Sequence, residues 1–134
     1  MKRIVIYWSG TGNTESIANR IKSDLGCEAV SVNGISASDA SKFDLIILGC
    51  PSMGNEELES DEFRPFFEEL MSISKGAKFA LFGSYGWGDG EWMRSWQEEL
   101  VSLGGNLVCE GLIVNGDESQ IDENSYNAFI SALK

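Results

Sequence analysis

The chain has 134 residues, with Lys plus Arg 10 against Asp plus Glu 21, a formal net charge of −11 at pH 7, and no histidine. A single domain over residues 1–134 is expected, long enough to bury roughly two-thirds of its unfolded surface. So acidic a chain is repelled by nucleic-acid phosphates, and without imidazole it has neither a histidine-ligated metal site nor a histidine-dependent triad.

Apolar runs alternate with amphipathic stretches along the chain. Ile4 to Trp8 is the first run, Ala29, Val30 and Val32 a weaker second, and Leu45 to Leu48 the third. Phe79 to Phe82 is the fourth, and Leu107 to Val114 the fifth, interrupted at Glu110-Gly111. Runs without alternation fit strands buried on both faces. Between them lie helical stripes: Ile17, Ala18, Ile21 and Leu25; then Phe63, Phe66, Phe67, Leu70 and Met71. Trp92, Met93, Trp96, Leu100 and Leu103 continue the series, and Tyr126, Phe129, Ile130 and Leu133 close it. Gly26 and Gly104 are placed to end helices, and Ser60 or Asp61 to start one before Pro65. Asn33 to Lys42 reads as a loop with about one helical turn. The alternation predicts a doubly wound α/β fold, a mostly parallel sheet with helices on both faces. In such sheets ligands bind beyond the carboxyl ends of the strands, which directs attention to the segments after Trp8, Leu48 and Phe82.

No apolar run approaches the ~18 residues that span a bilayer, and the opening basic-then-apolar segment is too short for a signal peptide. Cys27, Cys50 and Cys109 are widely spaced and form no Cys-x-x-Cys, which excludes thioredoxin-like, zinc-ribbon and iron–sulfur sites. Each reads as a small apolar residue in a reducing, cytoplasmic compartment.

The first loop, Ser9-Gly10-Thr11-Gly12-Asn13-Thr14, leads directly into a helix and carries no charge before Glu15. Unpaired amides at a helix start, glycines that let the backbone curve, and hydroxyl donors together make a phosphate site. The same residues also serve as ordinary helix caps. No Gly-Lys-Ser/Thr or Gly-x-Gly-x-x-Gly is present. The second loop contains Pro51-Ser52-Met53-Gly54-Asn55-Glu56. Taken alone it is a polar turn before an acidic helix start. It also offers a thioether for a flat ring at Met53, tolerance of positive φ at Gly54 and Asn55, and an acceptor at Glu56. The third, Gly83-Ser84-Tyr85-Gly86-Trp87-Gly88-Asp89-Gly90, sets two aromatics among glycines. Glycines do not build a core, so Tyr85 and Trp87 are expected on display, with Trp87 suited to stacking on a planar ligand. Trp92 and Trp96 fall in a helical stripe and belong to the core, whereas the placement of Trp8 at a strand end is open.

Together these loops resemble those of flavodoxins of the short-chain class. The likeness is carried by Tyr7 to Thr14, by Leu48-Gly49-Cys50 with Met53-Gly54, and by Leu81 to Met93. Flavodoxins themselves exemplify the strand-end rule, so that rule lends the resemblance no separate support. The resemblance implies a five-stranded parallel sheet in the order 2-1-3-4-5 and a non-covalently bound FMN. It implies that Ser9, Gly10, Thr11, Gly12, Asn13 and Thr14 hold the 5′-phosphate, with Ser84 near. It places Met53 and Gly54, flanked by Pro51, Ser52 and Asn55, on the inner ring face, Trp87 on the outer face, and Glu56 at N3–H. The backbone from Gly86 through Gly88 to Asp89, beside Tyr85, then serves the pyrimidine edge.

The implied activity is electron transfer rather than enzymatic turnover: a low-potential carrier shuttling FMN between semiquinone and hydroquinone. A Gly54–Asn55 peptide flip is expected to favour the protonated semiquinone by about 1 kcal/mol. Carboxylates around the second and third loops are expected to disfavour the anionic hydroquinone. The implied partners are flavin- or iron–sulfur-containing oxidoreductases docking at the flavin edge, with the chain a monomer that meets neither membrane nor nucleic acid. The alternative is an FMN-dependent NAD(P)H reductase, but no basic residue in these loops meets a nicotinamide cofactor's phosphate. A phospho-accepting receiver domain fails because the strand ends read Trp8-Ser9 and Gly49-Cys50 where it needs acids. A binding module that takes up no FMN is the third possibility.

Overall fold

The computed structural model describes residues 1–74 and 76–134. In chain order it forms β1 (Arg3–Tyr7), α1 (Asn13–Leu25), β2 (Glu28–Ser31), α2 (Ala37–Ala40) and β3 (Leu45–Gly49). There follow α3 (Phe63–Ile73), β4 (Lys78–Tyr85), α4 (Glu91–Ser102), β5 (Asn106–Leu107), β6 (Leu112–Asn115) and α5 (Glu123–Leu133). The strands form one parallel sheet in the order β2-β1-β3-β4-β5, and β6 also pairs β4.

The fifth apolar run therefore fills one sheet position in two pieces. β5 pairs the start of β4, Lys78 with Asn106, and β6 pairs its end, Tyr85 with Asn115. The break falls at the Glu110-Gly111 interruption. There the Gly111 N–H donates to Gln97 Oε1 at 2.9 Å, and a Cβ on Gly111 would meet Met93 Sδ at 2.5 Å, so the backbone leaves the ladder to lie on α4.

Successive residues of a strand point to opposite faces, and the central strands are apolar on both. Ile4, Ile6, Ile46, Leu48, Phe79 and Leu81 pack against α3 and α4, where Trp96 meets Phe63 edge-on at 5.4 Å and Phe67 at 6.0 Å. Val5, Ile47, Ala80 and Phe82 pack against α1 and α5. Each fully buried large side chain contributes roughly 1.5–3 kcal/mol, so these two layers supply most of the driving force. Cys50 lies in the first layer, where burial pushes its thiol up to about 12. Cys27 and Cys109 are half-buried.

α1 ends as expected on Gly26, at φ 63, with its N–H donating to Lys22 O at 2.9 Å. α3 starts otherwise than expected. Its first amides are met by neither Ser60 nor Asp61 but by the buried carboxylate of Glu59, which accepts from Asp61, Glu62 and Phe63 at 2.7–2.8 Å. Pro65 is third in that helix, where its missing N–H costs nothing. Leu103 falls past the end of α4 and is exposed. β4 runs on through Ser84 and Tyr85, which sequence places in a loop. Gly83 lets it do so, because a Cβ there would drive into the Cys50 carbonyl of the neighbouring chain segment.

Candidate functional site

β1, β3 and β4 are neighbours, and their hydrogen-bond ladder continues beyond the strand ends. Trp8 N donates to Gly49 O at 3.0 Å, Cys50 N to Phe82 O at 3.1 Å and Ser52 N to Ser84 O at 3.0 Å. This registration brings the three loops to one place. They enclose a cleft of about 320 Å³ lined by Ser9, Gly10, Thr11, Asn13, Thr14, Pro51, Ser52, Met53, Ser84, Tyr85 and Gly86. Trp8, Asn115 and Gly116 complete the lining. Among the described residues, none that lines it is charged.

The first loop curves over the head of α1. Gly12 takes φ 97 at the helix start, and the Ser9 hydroxyl accepts from Gly12 N at 3.1 Å and Glu15 N at 3.3 Å. Asn13 and Thr14 form the first turn of α1, and the Thr14 hydroxyl is buried with no hydrogen-bond partner. The Ser52 hydroxyl, across the cleft, is likewise buried and unpartnered. Buried polar groups are normally bonded, so two such hydroxyls in the walls of one cleft suit a hydrogen-bonding ligand. Neutral amides, hydroxyls and a helix dipole suit a phosphate.

The second loop closes on itself: Met53 N donates to Glu57 O at 2.8 Å and Glu57 N to Met53 O at 2.9 Å. Within it Gly54 has φ 52 and Glu56 has φ 56, while Asn55, expected to share the positive-φ role, does not take it. A left-handed glutamate is uncommon, and here its carboxylate is tied down, accepting from Glu91 N at 3.0 Å. Glu56 thereby caps α4 across the site. Met53 is 38% exposed.

In the third segment the Ser84 hydroxyl donates to Gly116 O at 2.7 Å, tying the end of β4 to the loop after β6. Tyr85 is half-buried, tilted against Trp92 at 5.5 Å, rather than fully displayed. Trp87 is 60% exposed, as expected of a residue flanked by glycines. Gly88, at φ 88, abuts the Glu56 carboxylate, where a Cβ would come within 2.6 Å of Cδ. Asp89 and Glu91 are both bonded by Arg94, at 3.0 and 2.7 Å.

Gly12, Gly54, Asn55, Glu56, Trp87, Gly88 and Asp89 thus do not line this cleft, and Asn55 and Glu56 line another hollow of about 310 Å³. The strand-end rule, applied to the fifth run as well, would have found Asn115 and Gly116.

The flavodoxin family model matches residues 5–129. The chain belongs to the flavodoxin family. The flavodoxin of Clostridium beijerinckii is 43% identical over 125 residues, covering 90% of this chain and 91% of that one. The solution structure of two-electron reduced Megasphaera elsdenii flavodoxin superposes with a TM-score of 0.86 at 39% identity, covering 98% of this chain and 99% of that one. Flavodoxins are electron-transfer proteins, not enzymes, and their cofactor is FMN. The fold also forms part of a redox enzyme, rubredoxin oxygen:oxidoreductase from Desulfovibrio gigas. That likeness is one of fold alone: TM-score 0.79 at 18% identity, over 98% of this chain and 34% of that one. No described helix is long and apolar enough to cross a membrane.

Proposed function

We propose that residues 1–134 act as one unit that carries single electrons between redox proteins on a non-covalently held FMN seated in the 320 Å³ cleft. The reading rests above all on the uncharged cradle at the head of α1, with the unpartnered Thr14 and Ser52 hydroxyls in its walls. When bound, FMN supplies one-electron chemistry in two separable steps. The amides and hydroxyls from Ser9 to Thr14 hold the phosphate, with Ser84 near. Met53, Gly54 and Trp87 cover the ring, aided by Pro51, Ser52 and Asn55. The Tyr85 to Asp89 backbone and Glu56 meet its polar edge. The cradle offers neutral donors, so it leaves the phosphate charge uncompensated, and that charge opposes a further negative charge on the ring. Glu57, exposed and without an ion pair among the described residues, acts in the same sense. The charges of Asp89 and Glu91 are partly offset by Arg94.

Exposed Met53 and Trp87 mark the edge at which flavin- or iron–sulfur-containing oxidoreductases dock, and the −11 charge steers basic partner surfaces toward it. The protein acts as a cytoplasmic monomer. Stepwise reduction of the FMN-loaded chain, followed by visible absorption, is the test. Two resolved one-electron steps with no NAD(P)H consumption are expected. A single two-electron step, or steady NAD(P)H oxidation by the pure chain, points instead to a reductase.

A further inference from the structure

Trp8 follows β1 and is still in the ladder, its N–H bonded to Gly49 O at 3.0 Å. Its indole has two contacts that the cradle does not explain. The six-membered ring lies close against Gly10: a Cβ added there would stand 3.0 Å from Trp8 Cη2 and 3.3 Å from Cζ3, so a side chain at this position would crowd the ring. At the other end, Nε1–H donates to Glu62 Oε1 at 2.9 Å. Glu62 immediately precedes α3, and that turn is stiff: Glu59 accepts from the amides of Asp61, Glu62 and Phe63, and Phe63 is fully buried. The indole is therefore clamped between a fixed helix start and the glycine over which the first loop bends.

We propose that Trp8 is a positioning residue, held by Glu62, that sets the conformation of the Ser9–Gly12 loop before any phosphate arrives. This deepens the reading of that loop as a phosphate cradle and rests on it. A four-residue loop with two glycines has many alternatives, and a flat ring pinned against Gly10 removes those in which the backbone would enter the space the ring fills. Affinity then comes from preorganisation rather than from a contact between Trp8 and the phosphate.

Three variants separate the latch from other effects. Glu62→Gln keeps an acceptor for Nε1–H and removes the charge, Glu62→Ala removes both, and Trp8→Phe keeps a ring without the N–H. If Glu62 acted only through its charge, both neutral variants would bind FMN alike. Two measurements are made: FMN dissociation constants by fluorescence quenching, and amide hydrogen exchange at Gly10, Thr11 and Gly12 in the FMN-free chain. The expected result is near wild-type behaviour in Glu62→Gln. In Glu62→Ala and Trp8→Phe, FMN binding should weaken by about five- to tenfold and exchange at Gly10–Gly12 should accelerate, with β1 and β3 amides unchanged. Equal FMN binding by Glu62→Ala and Glu62→Gln, with loop exchange unaltered in both, overturns the latch. Failure of the wild-type chain to take up FMN overturns the phosphate reading instead, while the exchange measurement still decides whether the latch exists.

Discussion

The carboxylate of Glu56 accepts a hydrogen bond from the backbone N–H of Glu91 at 3.0 Å, joining the loop after β3 to the first turn of α4. α4 otherwise starts on Gly90, which has no side chain to cap it. Replacing Glu56 with alanine should therefore cost about 1 kcal/mol of stability in the FMN-free chain, the usual worth of a lost cap. Glu56→Gln should retain part of this, since its amide oxygen still accepts. Urea unfolding of the three proteins checks the order.

Gly83 is the tightest point of the strand-end region. Its Cα faces the Cys50 carbonyl and the Trp92 ring, and Trp92 Nε1 donates to that same carbonyl at 3.2 Å. A methyl group here must push β4 away from the segment that follows β3. Gly83→Ala should lose about 3 kcal/mol or more, with FMN uptake impaired to match. A thermal melt within a degree or two of wild type would contradict this packing account.

Trp87 presents the opposite case. At 60% exposed it adds little to the fold, so Trp87→Ala should leave the FMN-free unfolding free energy within about 0.5 kcal/mol of wild type. FMN affinity should nevertheless fall about fivefold or more, the worth of one lost stacking partner of about 1 kcal/mol. Titration of both proteins with FMN, alongside their urea curves, separates the two effects.

Glu59 gives the fold a predictable response to acid. Burial works to raise its pKa, but the backbone donors of Phe63, Asp61 and Glu62 outweigh burial and hold the carboxyl below its ordinary 4.5. A carboxyl depressed in the folded state stabilises it fully above the unfolded value, and that stability is lost as pH falls through the folded value. Wild type should thus lose stability on acidification below about 4.5, and Glu59→Gln should show a shallower acid limb from a lower plateau. Parallel acid limbs in the two proteins would remove Glu59 as a cause.

Much of this was legible in the chain itself. Five apolar runs and four amphipathic stripes suffice for a parallel sheet between helices, because strands buried on both faces have no polar alternation to conceal them. The Ser9–Thr14 loop was readable for a similar reason, since its donors are contiguous and lead straight into α1. What could not be read depended on pairing across the fold. Ser84 and Tyr85 join β4 because β6 pairs them, at Val114 and Asn115, beyond the point where β3 stops at Phe82, which no local propensity reports. Glu59, not Ser60 or Asp61, caps α3 because a buried acceptor four residues before Phe63 reaches three amides at once. Asn115 and Gly116 reach the cleft through the register of β6 on β4, and Glu56 reaches α4 through the turn that gives it φ 56.

If the uncharged cradle at the head of α1 holds a mononucleotide beside exposed Trp87, FMN must change the tryptophan emission of the chain. Titration of the FMN-free chain with FMN, followed by tryptophan fluorescence, is the decisive measurement. Saturable quenching at one FMN per chain, weakened by removing the buried hydroxyl in Thr14→Val, is the predicted result. Fluorescence that stays unchanged at saturating FMN would contradict it.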